Sequence, residues 1–147
     1  MKIHILYCSN SINRIDFEHY IEKDQVNEVH TISLPCSGKV TIPYMVKAFE
    51  TGADGVVIVT CKEGQCHNLE GNLRAQKRTQ AVDTLLEEVG IGKGRITVVQ
   101  FKDGGIEQVM EDIEVFCNNI DKQLQSNADN IGTNKSSNAK LSREKTT

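Results

Sequence analysis

The stretch that most constrains the fold is Gly55–Thr60, which reads G-V-V-I-V-T. It contains successive β-branched apolar residues and shows no alternation of apolar with polar side chains. Such a run is typical of a strand that is buried on both faces. Parallel sheets covered by helices on both sides contain strands of this kind, so the stretch predicts the centre of an α/β sheet.

Strand and helix patterns alternate on either side of this run. Further strands are predicted at residues 2–7, 29–34 and 96–101. Helices are predicted at residues 13–23, 42–51, 69–89 and 106–124. Short connections between such elements favour a parallel sheet, so we expect one small doubly wound α/β domain. Its sheet is expected to be four-stranded and flavodoxin-like, in the order 2-1-3-4, with helices on both faces.

Three of the predicted helices carry specific signals. Thr41 is expected to cap the second helix, Pro43 to lie in its first turn and Gly52 to end it. The long third helix ends at Gly90 and Gly92, and the apolar side assigned to it comprises Leu69, Leu73, Ala81, Leu85 and Val89. The last helix is expected to bury Val109, Met110, Ile113, Phe116 and Ile120.

The end of the chain differs in composition from the rest. From about residue 124 it is rich in serine, asparagine, threonine and lysine and nearly free of large apolar side chains. Such a segment buries too little surface to offset the entropy of ordering. The sequence therefore predicts a folded domain over residues 1–123 and a disordered polar tail over residues 124–147.

Charge and hydropathy exclude several classes of function. The net charge of -3 offers no basic surface for nucleic acid. No apolar run approaches the roughly 18 residues that cross a bilayer, and the first residues do not resemble a secretory signal. We therefore expect a cytoplasmic protein with no membrane or nucleic-acid partner. Disulfides are rare in the cytoplasm, so the five cysteines are expected to be ligands, redox thiols or core residues.

Most of the cysteines follow predicted strands. Cys8, Cys36 and Cys61 each follow one of the first three strands, and the carboxyl ends of parallel strands share one edge, where open α/β sheets bind ligands. Cys66 lies in the loop after Cys61, near the start of the third helix, where the helix dipole favours a thiolate. Four cysteines at one edge match the ligand count of a tetrathiolate metal site. Cys117 lies among apolar residues of the last helix and is expected to be a buried structural thiol.

Spacing alone leaves four interpretations open. The thiols could be unrelated core residues, ligands of a structural zinc ion, a redox pair formed by Cys61 and Cys66, or ligands of an iron–sulfur cluster. The C-x4-C spacing does not decide among them. His67, next to Cys66, is expected to hydrogen-bond near the ligands rather than to bind a metal. Arg74, Lys77 and Arg78 lie further along the same helix and either offset negative charge or form an ordinary solvated face.

Three blocks of the sequence resemble a known family. They are P-C-S-G-K at Pro35–Lys39, K-A-F-E-T-G-A-D-G-V at Lys47–Val56, and C-K-E-G-Q-C-H-N-L-E-G-N at Cys61–Asn72, followed by Arg74 and Arg78. In this order they resemble the delta subunit of methyl-viologen-reducing hydrogenase, the hydrogenase iron–sulfur subunit. The resemblance extends over roughly Ile3 to Phe116.

The resemblance implies a non-catalytic electron-transfer subunit of an oxidoreductase complex in anaerobic metabolism. Members of the family hold a [2Fe-2S] cluster. They pass electrons between a hydrogenase, or another donor such as a formate dehydrogenase, and the flavin-containing A subunit of heterodisulfide reductase. Carried over by position, the ligands of the cluster would be Cys8, Cys36, Cys61 and Cys66, with His67 and Arg74 beside them. The alternative of another class is a cluster-free, thiol-regulated or zinc-binding interaction module of the same fold.

One position departs from the family pattern. The family has C-x-W-C after the first strand, whereas this chain reads C-S-N-S, so Ser11 stands where the second cysteine would be and Asn10 where the tryptophan would be. Either Cys8 replaces that ligand, Ser11 itself ligates, or the cluster is less stable.

Overall fold

The computed structural model describes residues 1–9, 14–22, 28–61, 71–101 and 105–144, with side chains as far as residue 129. In these ranges the strands are β1 Lys2–Cys8, β2 Glu28–Leu34, β3 Gly55–Thr60 and β4 Ile96–Gln100. The α-helices are α1 Arg14–Ile21, α2 Ile42–Glu50, α3 Gly71–Glu88 and α4 Gly105–Glu144. A single 3₁₀ turn, Ser37–Lys39, lies between β2 and α2.

The four strands form one parallel sheet in the order β2-β1-β3-β4. The predicted fold class and strand order are therefore confirmed. β3 lies between β1 and β4, and all six of its residues are buried. That position explains the unbroken β-branched run, because both faces of this strand contact helices.

Helices cover both faces of the sheet and enclose two separate cores. Alternate residues of β1 point to opposite faces: Ile3 and Ile5 pack against α1 and α4, whereas Leu6 packs against α2 and α3. This is the doubly wound arrangement, in which helices cover both faces of a parallel sheet.

The predicted start and end of α2 are confirmed. The Thr41 hydroxyl accepts a hydrogen bond from the backbone N–H of Tyr44 at 3.4 Å, and Pro43 lies in the first turn. Gly52 follows the last turn with φ at 101°, a left-handed conformation that favours glycine. The helix thus begins and ends on local sequence signals.

The apolar face predicted for α3 is wrong. Leu85 and Val89 are 39% and 63% exposed, Ala81 is exposed and Leu73 only partly buried, while Leu69 lies outside the described residues. The face turned to the sheet consists of Gly71, Asn72, Ala75, Thr79, Val82 and Leu86. At its first residue, Gly71, α3 lies in direct contact with the backbone of Gly38, and the inner positions of its first turns carry small or polar side chains. A prediction based on large apolar residues therefore selects the wrong stripe.

The predicted inner face of α4 is confirmed, because Val109, Ile113, Phe116 and Ile120 are buried and Met110 packs against them. The helix differs at its end, since its backbone continues to Glu144 through the segment predicted to be a disordered tail. Both prolines of the chain lie before residue 44, so none interrupts the helical hydrogen bonds there. The division of the chain at residue 123 stays a prediction.

Among the described residues, no helix is both long enough and apolar enough to cross a bilayer.

Candidate metal centre at the carboxyl edge of the sheet

Two of the strand-end cysteines meet at the carboxyl edge of the sheet. Cys8 is the last residue of β1, and Cys61 directly follows the neighbouring strand β3. Their Sγ atoms lie 3.7 Å apart, and both residues are buried, with 2% and 7% of their surface exposed. The expectation that adjacent strands bring these two thiols together is therefore confirmed.

Cys36 lies on the same edge, in the connection that follows β2. Its Sγ atom accepts a hydrogen bond from the backbone N–H of Gly38 at 3.4 Å, and so caps the 3₁₀ turn. The Cys8 thiol donates to the carbonyl oxygen of Pro35 at 3.9 Å, which places Cys8 against the peptide just before Cys36. An N–H group directed at a sulfur stabilises negative charge on that atom.

The segment that carries Cys36, residues 36–40, is here called the Cys36 turn, and α3 fastens it in two ways. A Cβ atom placed on Gly38 would lie 2.8 Å from the Cα of Gly71, so the two backbones pass in direct contact. The Arg78 guanidinium donates from Nη1 to the carbonyl oxygens of Gly38 at 2.5 Å and Val40 at 2.9 Å. Because α3 holds its main chain through a backbone contact and through two hydrogen bonds, the Cys36 turn has a defined position against this helix.

A second side chain of α3 reaches Cys61. Asn72 is 1% exposed, and its side-chain amide donates to the Cys61 carbonyl oxygen at 3.4 Å. Neither this contact nor that of Arg78 follows from the predicted face of α3. The signal that could have found Asn72 is its spacing of three residues before Ala75, which places both on one side of the helix.

The separation of the two thiols fits a metal ligand pair. Two sulfurs at about 2.3 Å from one tetrahedral metal ion lie about 3.8 Å apart. The 3.7 Å between Cys8 and Cys61 matches this value, although two thiols in simple contact also lie at such a distance. Among the described residues, no group of three or more His, Cys, Asp or Glu side chains is placed to hold a metal. Two of the four predicted ligands, Cys8 and Cys61, therefore have the sulfur donors and the spacing that an iron or zinc site requires.

Of the remaining predicted site residues, three lie outside the described part of the chain and one, Arg74, lies within it. Ser11, Cys66 and His67 lie outside the described residues, so their roles stay predictions. Arg74 is exposed on α3, whereas Arg78, one turn further along, contacts the Cys36 turn. Cys117 is buried within the core beneath α4, as predicted.

Fold and site together define a small α/β protein with buried thiols at the carboxyl edge of its parallel sheet. Residues 3–124 match the family described as methyl-viologen-reducing hydrogenase, delta subunit, and the chain belongs to this family. The resemblance found in the three sequence blocks is therefore confirmed.

Curated relatives agree with this assignment. The chain is 46% identical over 68 residues to the iron–sulfur subunit of the F420-non-reducing hydrogenase vhu from Methanocaldococcus jannaschii, which covers 46% of this chain and 51% of the relative. The corresponding vhu protein of Methanococcus maripaludis is 30% identical over 94 residues, covering 64% of this chain and 70% of the relative. In the first of these matches the chain spans about half the length of its relative.

A third relative is much larger. The A subunit of the ferredoxin:CoB-CoM heterodisulfide reductase of Methanosarcina mazei is 24% identical over 94 residues, which are 64% of this chain but only 12% of that protein. A segment similar to this chain therefore also occurs as a small part of a long heterodisulfide reductase polypeptide.

Proposed function

We propose that this protein is an electron-transfer subunit in which Cys8, Cys36, Cys61 and Cys66 hold a [2Fe-2S] cluster at the carboxyl edge of the sheet. The observation that carries the proposal is the buried Cys8–Cys61 pair, whose Sγ atoms are spaced like two thiolate ligands of one metal ion. The hydrogenase relatives are named as iron–sulfur subunits, which supports the same assignment. When bound, such a cluster accepts and releases one electron at a time.

The chain's own residues supply binding, position and electrostatics. The Gly38 N–H directed at Cys36 Sγ offsets the negative charge that a thiolate ligand carries. Asn72 fixes the main chain of Cys61, and Arg78 fixes that of the Cys36 turn. Burial of Cys8 and Cys61 keeps water away from their sulfurs, which strengthens the N–H···S and charge interactions in this region.

The partners follow from the relatives rather than from the fold. We infer that the protein relays electrons between a hydrogenase-type or other donor module and a flavin-containing protein like the A subunit of heterodisulfide reductase. The names of the hydrogenase relatives support the donor side. The similar segment inside a heterodisulfide reductase polypeptide supports the acceptor side, because joining two proteins in one chain keeps them together.

Metal and sulfide analysis of the purified protein tests this proposal. The full chain is purified without oxygen, reconstituted with iron and sulfide, and assayed for iron, zinc and acid-labile sulfide. We expect about two irons and two sulfides per chain. An electron paramagnetic resonance signal with S = 1/2 is expected only after reduction with dithionite.

Two other results would contradict the proposal. One zinc ion per chain without sulfide would instead establish a zinc-binding module, which the same thiol spacing also fits. A colourless protein with neither metal, in which all thiols react with an alkylating reagent after denaturation, would establish a protein of this fold without a redox cofactor.

A further inference from the structure

β4 lies at one edge of the sheet, and on its outer side it pairs with none of the strands that the structure describes. The Arg95 carbonyl accepts from Val56 N–H at 2.9 Å, and Phe101 N–H donates to the Thr60 carbonyl at 2.8 Å. In a parallel ladder the residues of a strand face its neighbour alternately, so Thr97 and Val99 also bond to β3. The N–H and C=O groups of the three residues between them point away from the sheet, namely Ile96, Val98 and Gln100. In the described part of the chain no strand pairs with this side of β4.

Two helices form walls beside this open edge. The groove between them, here called the β4 groove, has a volume of about 640 Å³. One wall is formed by α3 with Gln76, Thr79, Gln80 and Asp83, and the other by α4 with Asp112, Val115, Phe116 and Asn119. Val115 is 59% exposed, so the second wall offers an apolar contact as well as polar ones. An open strand edge at the base of a groove is the arrangement to which extended peptides add as a further strand.

The acidic side chains of the groove favour a positively charged occupant. Each wall contributes one carboxylate, Asp83 from α3 and Asp112 from α4, and none of the described residues that line the groove is lysine, arginine or histidine. Two copies of the chain bound edge to edge would bring four carboxylates and no lysine, arginine or histidine from the described lining to the shared groove, which is unfavourable. A segment that carries lysine or arginine beside its β-branched residues complements both walls.

The groove reaches the same carboxyl edge of the sheet as the thiols, because Gln100 at the end of β4 lines it. Gln100 is the register partner of Thr60, the residue before Cys61. Neighbouring strands lie about 4.8 Å apart, so a strand added to β4 would run about 10 Å from β3 and end at the same carboxyl edge. A segment bound there would lie about 10 Å from β3, which precedes Cys61, and about 14 Å from β1, which ends at Cys8.

We propose that the β4 groove binds an extended, basic segment of a partner protein by strand addition. The outward backbone groups of Val98 and its neighbours form the hydrogen bonds, and Asp83 and Asp112 provide the charge preference. None of the cysteines that the structure describes lines the groove, so binding is expected with and without a metal centre. The test on cluster-free protein therefore separates this inference from the proposed electron-transfer function.

A pair of synthetic peptides and a pair of proline variants test the proposal. The probe is an acetylated, amidated peptide of sequence KTVKVTK, and its counterpart ETVEVTE carries the opposite charge. Binding to the full chain is followed by amide chemical shifts and titration calorimetry. We expect the basic peptide to shift the amide signals of residues 96–100 and to bind more tightly than the acidic one.

Val98→Pro removes an N–H that faces the groove while keeping the bonds to β3, and a proline is tolerated at such an edge position. The matched control is Thr31→Pro in β2, the opposite edge strand. There Glu28 N–H and the Leu34 carbonyl face β1, so by the same alternation Thr31 faces outward. We expect Val98→Pro to weaken binding of the basic peptide at least about tenfold, because the variant loses an N–H donor and its ring blocks the added strand. Thr31→Pro should leave the affinity for the peptide unchanged.

A charge variant keeps the proposal testable if Val98→Pro does not fold. Asp112 is a helix surface residue that accepts a hydrogen bond from Gln108. Asp112→Lys is expected to weaken binding of the basic peptide and to strengthen binding of the acidic one. The proposal is overturned if neither peptide binds at millimolar concentration. The proposal is also overturned if the peptide shifts amide signals of residues outside the groove, and if these shifts persist in the Val98→Pro and Asp112→Lys variants. If the protein forms a concentration-dependent dimer that dissociates in the Val98→Pro variant, the groove binds a second copy of this chain. That result would overturn the proposal of a basic partner segment.

Discussion

The carboxyl edge of the sheet and the core beneath α4 both contain buried cysteines, yet the two regions offer different chemistry. At the edge, Cys8 and Cys61 meet at 3.7 Å, and the main chain of the adjoining Cys36 turn is fixed by Arg78. Under α4, Cys117 lies in a cluster with Phe116, Ile113 and Ile120. All these thiols are similarly buried, so burial alone does not distinguish the proposed ligands from the core cysteine. What distinguishes the edge thiols is their position at the ends of adjacent parallel strands, where open α/β sheets bind ligands.

The largest expected difference between the two regions concerns metal content. Cys61→Ser removes one sulfur of the edge pair, so we expect the reconstituted protein to lose most of its iron and its visible colour. Cys117→Ser alters a core residue and should keep the full iron content, with a loss of stability of about 1 kcal/mol. Iron analysis and absorption spectra of the two variants provide the measurement. Equal iron loss in both would remove the distinction between the regions.

A pair of glycine substitutions tests how rigid each region is. Gly38→Ala sets a Cβ 2.8 Å from the Cα of Gly71, where only a shift of backbone relieves the contact. Gly55→Ala instead meets the end of the Ile120 side chain, which can move. Both variants should lose about 1–3 kcal/mol of stability in urea unfolding.

The two glycine variants should differ at the metal site. Gly38→Ala is expected to displace the Cys36 turn and lower the iron bound after reconstitution, whereas Gly55→Ala is expected to leave the iron content unchanged. Full iron occupancy in a folded Gly38→Ala protein would show that the position of this turn is not needed for the site.

A smaller effect is expected from the arginines of α3. Arg78→Gln removes two hydrogen bonds from a charged donor to the carbonyls of Gly38 and Val40, which is expected to cost about 1.5–3 kcal/mol. Arg74→Gln changes an exposed side chain and should alter stability by less than about 0.5 kcal/mol. Urea unfolding of both variants gives the free energies, and a similar loss in each would contradict the contacts described for Arg78.

The smallest expected effect lies in the sheet between His4 and His30, whose ring centroids are 5.2 Å apart. Burial, followed by the charges of His30 and Lys2, lowers the pKa of His4 below 6.5, while Glu28 opposes this change. The unfolded chain then binds more protons than the folded one, so this contribution to stability is present above pH 6.5 and falls as the pH drops below it.

His4→Gln provides the matching variant for this pH dependence. Urea midpoints of the wild type should decline more between about pH 7.5 and about pH 5.5 than those of His4→Gln, with no change in thiol or metal content. Parallel declines in the two proteins would show that another group is responsible.

The sequence predicted the parts of this molecule that depend on local pattern. The β-branched run of β3 identified the central strand, and Thr41 and Gly52 marked the ends of α2. The alternation of elements predicted a parallel sheet, and the expected flavodoxin-like strand order made Cys8 and Cys61 neighbours. These features need only the residues themselves and the geometry of a parallel sheet.

Features that depend on contacts between distant segments could not be predicted. The inner face of α3 carries Asn72 and Thr79 rather than its largest apolar residues, because its start packs against the backbone of the Cys36 turn. The roles of Gly38 and Arg78 arise from the same contact, which joins segments 40 residues apart. Hydrophobic periodicity carries no signal for such a close approach.

A potentiometric titration of the reconstituted full chain, followed by electron paramagnetic resonance, shows whether the thiols at the sheet edge hold a redox-active cluster. We expect an S = 1/2 signal that appears as a one-electron transition and integrates to about one spin per two irons. Cys61→Ser should lose this signal, whereas Cys117→Ser should retain it. A protein that shows no iron signal, and whose only transition is a two-electron reduction of a disulfide, would contradict the claim that the thiols at the sheet edge hold an electron-carrying cluster.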